Sequence, residues 1–189
     1  MAHAWSRPES GRKAVAVWLL GLVLLAAVVD ATGAESSAPA RVRAAFVPEC
    51  EGLLLEHLAR ATQEVRAAVF TFTRRGVAEA LIEAAARGVD VRLKVDADQA
   101  RDLELMAELM ALLRQGRVAV EEIRMPSVRY GADMHHKFAV VDGRWVITGS
   151  ANWTKSATSV NWENVLAIES PELAARFRRE WERIRSRDD

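Results

Sequence analysis

His135 and Lys137 are separated by one residue, and Asp142-Gly143 and Gly149-Ser150-Ala151-Asn152 follow shortly after. The apolar runs Lys137–Val141 and Trp145–Thr148 read as two strands joined at Asp142-Gly143, a strong hairpin signal. Side chains two apart on a strand share a face, so the imidazole of His135 and the ammonium of Lys137 point the same way. His136 points the other way. Beyond the second strand Gly149 permits a close backbone turn, on which Ser150 and Asn152 add short polar groups. A face of this kind can hold a phosphate oxyanion. Lys137 would supply charge, and Ser150, Asn152 and nearby backbone N–H groups would supply donors. Asp142 has the opposite parity to His135, which suits a structural turn residue. His135-His136 is a weak metal pair, because adjacent strand residues diverge and no Cys or Asp cluster joins them.

The elements that must position this hairpin are legible in outline. Ala44–Val47 is a short apolar run ended by Pro48, and Gly52–Ala61 has helical spacing through Leu54, Leu55 and Leu58. Val65–Phe72 is rich in strand formers, and Thr73 offers an N-cap for a helix over Val77–Arg87 that Gly88 closes. Val89–Val95 alternates as a strand. Asp96 can cap a helix over Asp98–Gln115, closed by Gly116, and Val118–Ile123 alternates again. Two consecutive helix–Gly–strand units imply right-handed βαβ crossovers and a sheet at least partly parallel. Ser170-Pro171-Glu172 starts a final helix, Pro171–Arg185, whose packing face is Leu173, Phe177, Trp181 and Ile184.

The chain has 189 residues, with 26 basic against 26 acidic side chains, half of its residues hydrophobic and a single cysteine. That composition excludes wholesale disorder, a disulfide framework and a cysteine zinc finger. Zero net charge gives no global basic footprint for nucleic acid. The totals pool two unlike segments. Residues 14–29 carry no charge, follow Arg7, Arg12 and Lys13, and precede the small residues Ala31-Thr32-Gly33-Ala34. This is a secretory signal pattern. At ~1.5 Å per residue the apolar stretch reaches roughly 24 Å, short of a bilayer core, so residues 1–34 are read as a cleavable signal. A retained N-terminal membrane anchor is the alternative. Residues 35–43 read as a linker and 44–189 as a single catalytic domain, exported to the periplasm or secreted.

The constellation His135-x-Lys137-x4-Asp142-x6-Gly149-Ser150-x-Asn152 resembles the signature of the phospholipase D superfamily. Asn161-Trp162-Glu163-Asn164 resembles the family's downstream segment, whose glutamate hydrogen-bonds the catalytic histidine. The resemblance covers Phe46 to about Ile184. It is strongest to the small single-motif branch, which includes bacterial exported endonucleases and the mitochondrial cardiolipin hydrolase. The mitochondrial members carry a cysteine-rich zinc element that this chain lacks, which places the bacterial exported type first. The fold class expected is α/β: a mixed, largely parallel sheet with helices on both faces, in one domain.

The resemblance implies phosphodiester hydrolysis without metal or cofactor, through a phosphohistidine. His135, Lys137 and Glu163 are the expected catalytic residues, with Lys137, Ser150 and Asn152 on the phosphate and Asp142 and Gly149 structural. The chemistry wants two histidines, one as nucleophile and one as proton donor. Beyond the signal only His57, His135 and His136 are available, and neither His57 nor His136 suits the second role. The expectation is a homodimer with the active site at its two-fold interface, the two His135 side chains titrating as a pair. An endonuclease is the first expectation, with Arg74, Arg75, Arg124, Arg129, Arg144 and Lys155 as local positive charge. A phospholipase D cleaving phospholipid head groups such as cardiolipin is the alternative, favoured if Trp153 or Trp162 forms a rim at a bilayer surface. A non-catalytic phosphate-binding module is the remaining reading.

Overall fold

The computed structural model describes residues 41–126 and 131–187. Among them the chain forms β1 (Arg41–Phe46), α1 (Cys50–Arg60), β2 (Glu64–Val69), α2 (Arg75–Ala86), β3 (Asp90–Asp96), α3 (Ala97–Asp102) and α4 (Glu104–Gln115). There follow β4 (Ala119–Ile123), β5 (Lys137–Val141), β6 (Trp145–Gly149), α5 (Lys155–Ser159), β7 (Asn164–Glu169) and α6 (Pro171–Arg183). The signal, most of the linker and Arg129 lie outside the described residues.

The strands form one sheet in the order β1-β7-β6-β5-β2-β3-β4. Its parallel part is β2-β3-β4, built by the two helix–Gly–strand crossovers through α2 and through α3–α4. The other pairings, β1·β7, β7·β6, β6·β5 and β5·β2, are antiparallel. The sheet is therefore mixed, as expected, but antiparallel pairings outnumber parallel ones, which corrects the expected largely parallel balance. The reason is connectivity: β5 and β6 form a hairpin, and β2-β3-β4 are the only neighbouring strands in the sheet joined by crossover helices.

Apolar alternation along the strands divides the core between two faces. On one face α1, α2 and α4 cover Val65, Val69, Leu93, Ala139 and Val141 with Leu58, Leu81 and Leu109, all buried. On the other, α6 covers Ala68, Phe138, Val140 and Val146 with Ala174, Phe177 and Trp181. Trp181 fastens α6 to the sheet. Its indole N–H donates to the Ala67 carbonyl at 2.8 Å, and the Lys94 ammonium lies 4.3 Å above its ring. Lys94 is itself buried and is paired with Glu121 at 3.2 Å. Burial of a lysine is tolerable when its charge has partners of this kind. Among the described residues no helix is long and apolar enough to cross a membrane.

Three local expectations change. The first strand begins at Arg41, within the segment read as linker, because the β1–β7 ladder starts at Arg41↔Glu169. The helix expected over Asp98–Gln115 is broken at Leu103, whose backbone is extended (φ −108, ψ 103). Thr73 does not cap α2, whose N-cap is Arg74 with no side-chain cap; the amides of Thr73 and Arg74 both donate to the Trp153 carbonyl at 2.9 Å. The caps at Asp96 and Ser170 form as read, accepting from Gln99 and Leu173 amides at 3.0 and 3.2 Å.

Candidate active site

The site grows from the N-terminal end of β5. Phe138 faces α6 while Ala139 faces the opposite layer, so alternation sends Lys137 away from α6. The β2–β5 ladder sets Val69 opposite Lys137, and the Phe70 amide donates to the His136 carbonyl at 2.8 Å. This brings the Phe70 ring within 4.6 Å of the His135 ring and 5.1 Å of Lys137 Nζ. Lys137 Nζ donates to the His135 carbonyl at 2.9 Å and lies 3.1 and 3.3 Å from Nδ1 and Nε2 of its ring. An ammonium so nearly equidistant from both nitrogens would collide with Cε1 if it lay in the ring plane, so it sits over the face. Both in-plane nitrogen directions of the exposed His135 therefore stay clear of the lysine.

Three residues that the sequence does not link to the site hold this arrangement, although Asp96 is legible as a helix cap. Asp96 is buried; Oδ1 caps α3 and Oδ2 accepts from the Met134 amide at 3.1 Å, fixing the segment just before His135. Thr71 donates its amide to Asn152 Oδ1 at 3.3 Å, and its hydroxyl lies 3.0 Å from Gln99 Oε1, to which it donates. Phe70 is the third. All three owe their positions to pairing between distant strands, which spacing along the chain does not encode.

Gly149 is required by a close approach. A Cβ there would lie 2.1 Å from the Asn164 carbonyl oxygen. Without one, β6 closes on β7 and the Ser150 amide donates to Asn164 O at 3.1 Å. Ser150 Oγ then donates to Glu163 Oε2 and accepts from the Asn164 amide at 3.1 Å. Asn161 Nδ2 donates to the other Glu163 oxygen at 3.3 Å. Two expectations are corrected here. Glu163 has no hydrogen bond to His135, and the Ser150 proton is committed to Glu163 rather than free for a phosphate. Both follow from the β6–β7 closure, which delivers Ser150 to the carboxylate first.

Charge within the site is balanced unevenly. Burial pulls the Lys137 ammonium below its ordinary range, and the carboxylates of Glu163 and Asp133 offset this only in part. Asp142 lies at the opposite end of β5, in the turn, with φ 53 followed by Gly143 at φ 60. Both residues are left-handed, as a tight hairpin turn demands. Its carboxylate accepts from the amides of Thr62, Gln63 and Glu64 and from the Thr62 hydroxyl, at 2.8–3.1 Å. Burial pushes its pKa up, but these bonds outweigh it and hold the carboxyl below the usual range.

The other histidines among the described residues, His57 and His136, take different positions. His57 is buried against Trp145, ring centroids 4.6 Å apart, at the turn end of the hairpin, with Nδ1 2.9 Å from the Leu53 carbonyl. His136 faces α6, its ring 5.4 Å from Phe138 and its Nε2 3.7 Å from Glu180. Among the expected cations, Arg144 also sits at the turn end, paired with Glu169, and Arg74 is paired with Glu51 at 2.7 Å. Arg75 and Lys155 form no ion pair among the described residues. Trp153 is core, packed edge-on to Phe72 at 5.2 Å, whereas Trp162 is fully exposed and Val160 is 73 % exposed beside it. Cys50 is buried, with Sγ 3.6 Å from the Ala45 carbonyl. Among the described residues no three His, Cys, Asp or Glu side chains converge as metal ligands.

Two open clefts meet at His135 and His136. One, of about 770 Å³, runs past Lys137, Thr148 and Ser150 to Leu173 and Phe177. The other, of about 590 Å³, runs past Met134 to Ile184 and Arg187.

Comparison with known proteins gives this geometry a context. The family described as cardiolipin synthase, phospholipase D-like domain matches residues 54–185. The mitochondrial cardiolipin hydrolase of Chlamydomonas reinhardtii is 34% identical over 134 residues, covering 69% of this chain and 55% of its own length. That of Homo sapiens is 37% identical over 131 residues, covering 69% of this chain and 49% of its own. The chain thus spans about half the length of these relatives. Nuc of Salmonella typhimurium, a phospholipase D family member, superposes with a TM-score of 0.70 at 27% identity, covering 77% of this chain and 94% of Nuc.

Proposed function

The chain belongs to the phospholipase D superfamily, in its single-motif branch, and from that premise we propose that it hydrolyses phosphodiesters of phospholipid head groups, cardiolipin foremost. The observation that carries the lipid substrate is the lip of the site. Trp162 and Val160 project fully or largely into solvent immediately before Glu163. An exposed tryptophan beside the carboxylate that balances Lys137 suits a bilayer interface, where the indole sits at head-group level. The cardiolipin hydrolase relatives support the same substrate. This reverses the order of the sequence expectations. The endonuclease reading stands second, on the resemblance to the exported endonucleases of the branch and the fold shared with Nuc.

In the proposed mechanism an in-plane nitrogen of His135 attacks phosphorus and forms a phosphohistidine. The leaving alkoxide takes its proton from His135 of the partner subunit. Water then attacks the phosphohistidine, giving its proton back to the partner's His135, and a phosphate monoester departs. Lys137 steadies the charge on the phosphoryl oxygens, and the Asn152 side-chain amide, its carbonyl anchored on Thr71, adds a donor. Glu163, held by Ser150 and Asn161, balances the Lys137 charge. Among the described residues no other histidine lies where it could serve as the proton donor, which supports the two-fold site. Export by residues 1–34 remains the proposed route to the compartment.

The test is hydrolysis of cardiolipin vesicles, DNA and RNA by the protein and by His135→Ala, with and without EDTA. The expectation is lipid turnover that survives EDTA and falls at least about 10²-fold in the variant, as loss of an acid–base or nucleophilic group should produce. Cleavage of nucleic acid without lipid turnover would promote the second reading, and inhibition by EDTA would overturn the metal-free mechanism.

A further inference from the structure

The cleft of about 590 Å³ beside His135 is not used by the mechanism above. Its floor is apolar, made by Ile123, Met125, Met134 and Ile184. Its rim is cationic, carrying Arg183, Arg185 and Arg187, while His135 and His136 stand at its mouth. Two acids also line it, against three arginines. Glu180 lies 3.7 Å from His136 and 3.5 Å from Arg183, and Asp133 acts on the Lys137 ammonium. Arg185 and Arg187 form no ion pair among the described residues, and both line the cleft.

The wall that carries these arginines is fixed after α6 ends. Lys94 Nζ donates to the Ile184 carbonyl at 2.5 Å, the Arg124 amide donates to Ser186 Oγ at 3.0 Å, and the Arg187 amide donates to the Arg124 carbonyl at 2.9 Å. Residues 184–187 are thus laced to β3 and to the end of β4. Guanidinium groups on such a wall are placed to bind an oxyanion bidentately.

The geometry points to a second phosphate subsite in this cleft, for a substrate that carries another phosphate a short spacer away from the scissile one. Resting on the lipid reading above, the ligand is a diphosphatidylglycerol. One phosphate meets His135 and Lys137, the other meets Arg185 and Arg187, and the glycerol between them crosses the apolar floor. A lipid with a single phosphate leaves the arginines unoccupied. The subsite therefore confers selectivity for cardiolipin over phosphatidylglycerol.

The experiment compares the protein with Arg185→Ala/Arg187→Ala on vesicles containing cardiolipin or phosphatidylglycerol, and on bis(p-nitrophenyl) phosphate, which has one phosphate and no membrane. The expected result is a wild-type preference for cardiolipin in kcat/KM of about 10-fold or more, the scale of one charge-assisted contact. The double variant should lose most of that preference, its loss on cardiolipin far exceeding its loss on the chromogenic ester. A variant that keeps the wild-type preference overturns the subsite alone. A wild-type protein that cleaves the chromogenic ester but neither lipid overturns the lipid function, and the diphosphatidylglycerol ligand with it.

Discussion

Lys137 shows how the site trades stability for chemistry. Its ammonium is drawn partly out of water beside Phe70 and over the His135 ring, and burial depresses its pKa. For a lysine, that shift means the charged form is held at a cost. The cost is fully present below the folded pKa and disappears as pH rises past the ordinary value of 10.5. At neutral pH the desolvated charge is therefore a cost to the fold, at the residue proposed to hold the phosphate. Lys137→Met should raise Tm at pH 7 by roughly 1–3 °C and lower turnover by about 10²–10³-fold. Thermal denaturation beside a kinetic assay checks both. A lower Tm would show that the contact with His135 is worth more than the desolvation it requires.

At the scale of the element, the β5–β6 hairpin is the working part, and it is fixed at both ends by different means. At the site end, the missing Cβ of Gly149 lets β6 close on β7 and sets the pair Ser150–Glu163. At the turn end, Asp142 collects amides from Thr62 to Glu64 and ties the turn to the α1–β2 corner. Its carboxyl pKa is lowered by those bonds, so its stabilising contribution is complete above the ordinary aspartate value of 3.8. That contribution is lost as pH falls through the lower folded value. Asp142→Asn keeps a residue type that tolerates the left-handed turn but removes the charge. The variant should be about 1–3 kcal/mol less stable at pH 7, and the gap should shrink in acid. Urea unfolding at pH 7 and at pH 3 measures it; an equal gap at both would assign the loss to the turn and not to the charge.

For the whole molecule, the proposed two-fold site rests on one usable histidine among the described residues, His135. Among the described residues His57, on α1, lies at the far end of the hairpin, and strand alternation turns His136 to the α6 face, away from the His135 ring. If the active site forms across a two-fold axis, specific activity should fall on dilution as dimers dissociate. Re-equilibrated mixtures of wild-type and His135→Ala chains should follow the square of the wild-type fraction, about one quarter at equal amounts. A linear dependence on that fraction would show that each chain works alone.

The sequence by itself determined the pieces that local chemistry dictates. The hairpin follows from Asp142-Gly143 and its flanking strands, the caps from Asp96 and Ser170, the two crossovers from their helix–Gly–strand pattern, and the shared face of His135 and Lys137 from strand alternation. It also identified Gly149, Ser150, Asn152 and Glu163 as neighbours of that hairpin. Only the tertiary structure decided how they meet. Backbone pairing of β2 with β5 put Phe70 against His135, pairing of β6 with β7 gave the Ser150 proton to Glu163, and the buried Asp96 held Met134. It also decided that antiparallel pairings dominate the sheet, and that the tail after α6 lies against the edge strand and turns its arginines toward the site. Local conformation is fixed by residues a few positions apart. Register and contact between distant strands are fixed by the packing of the whole core, which spacing along the chain does not reveal.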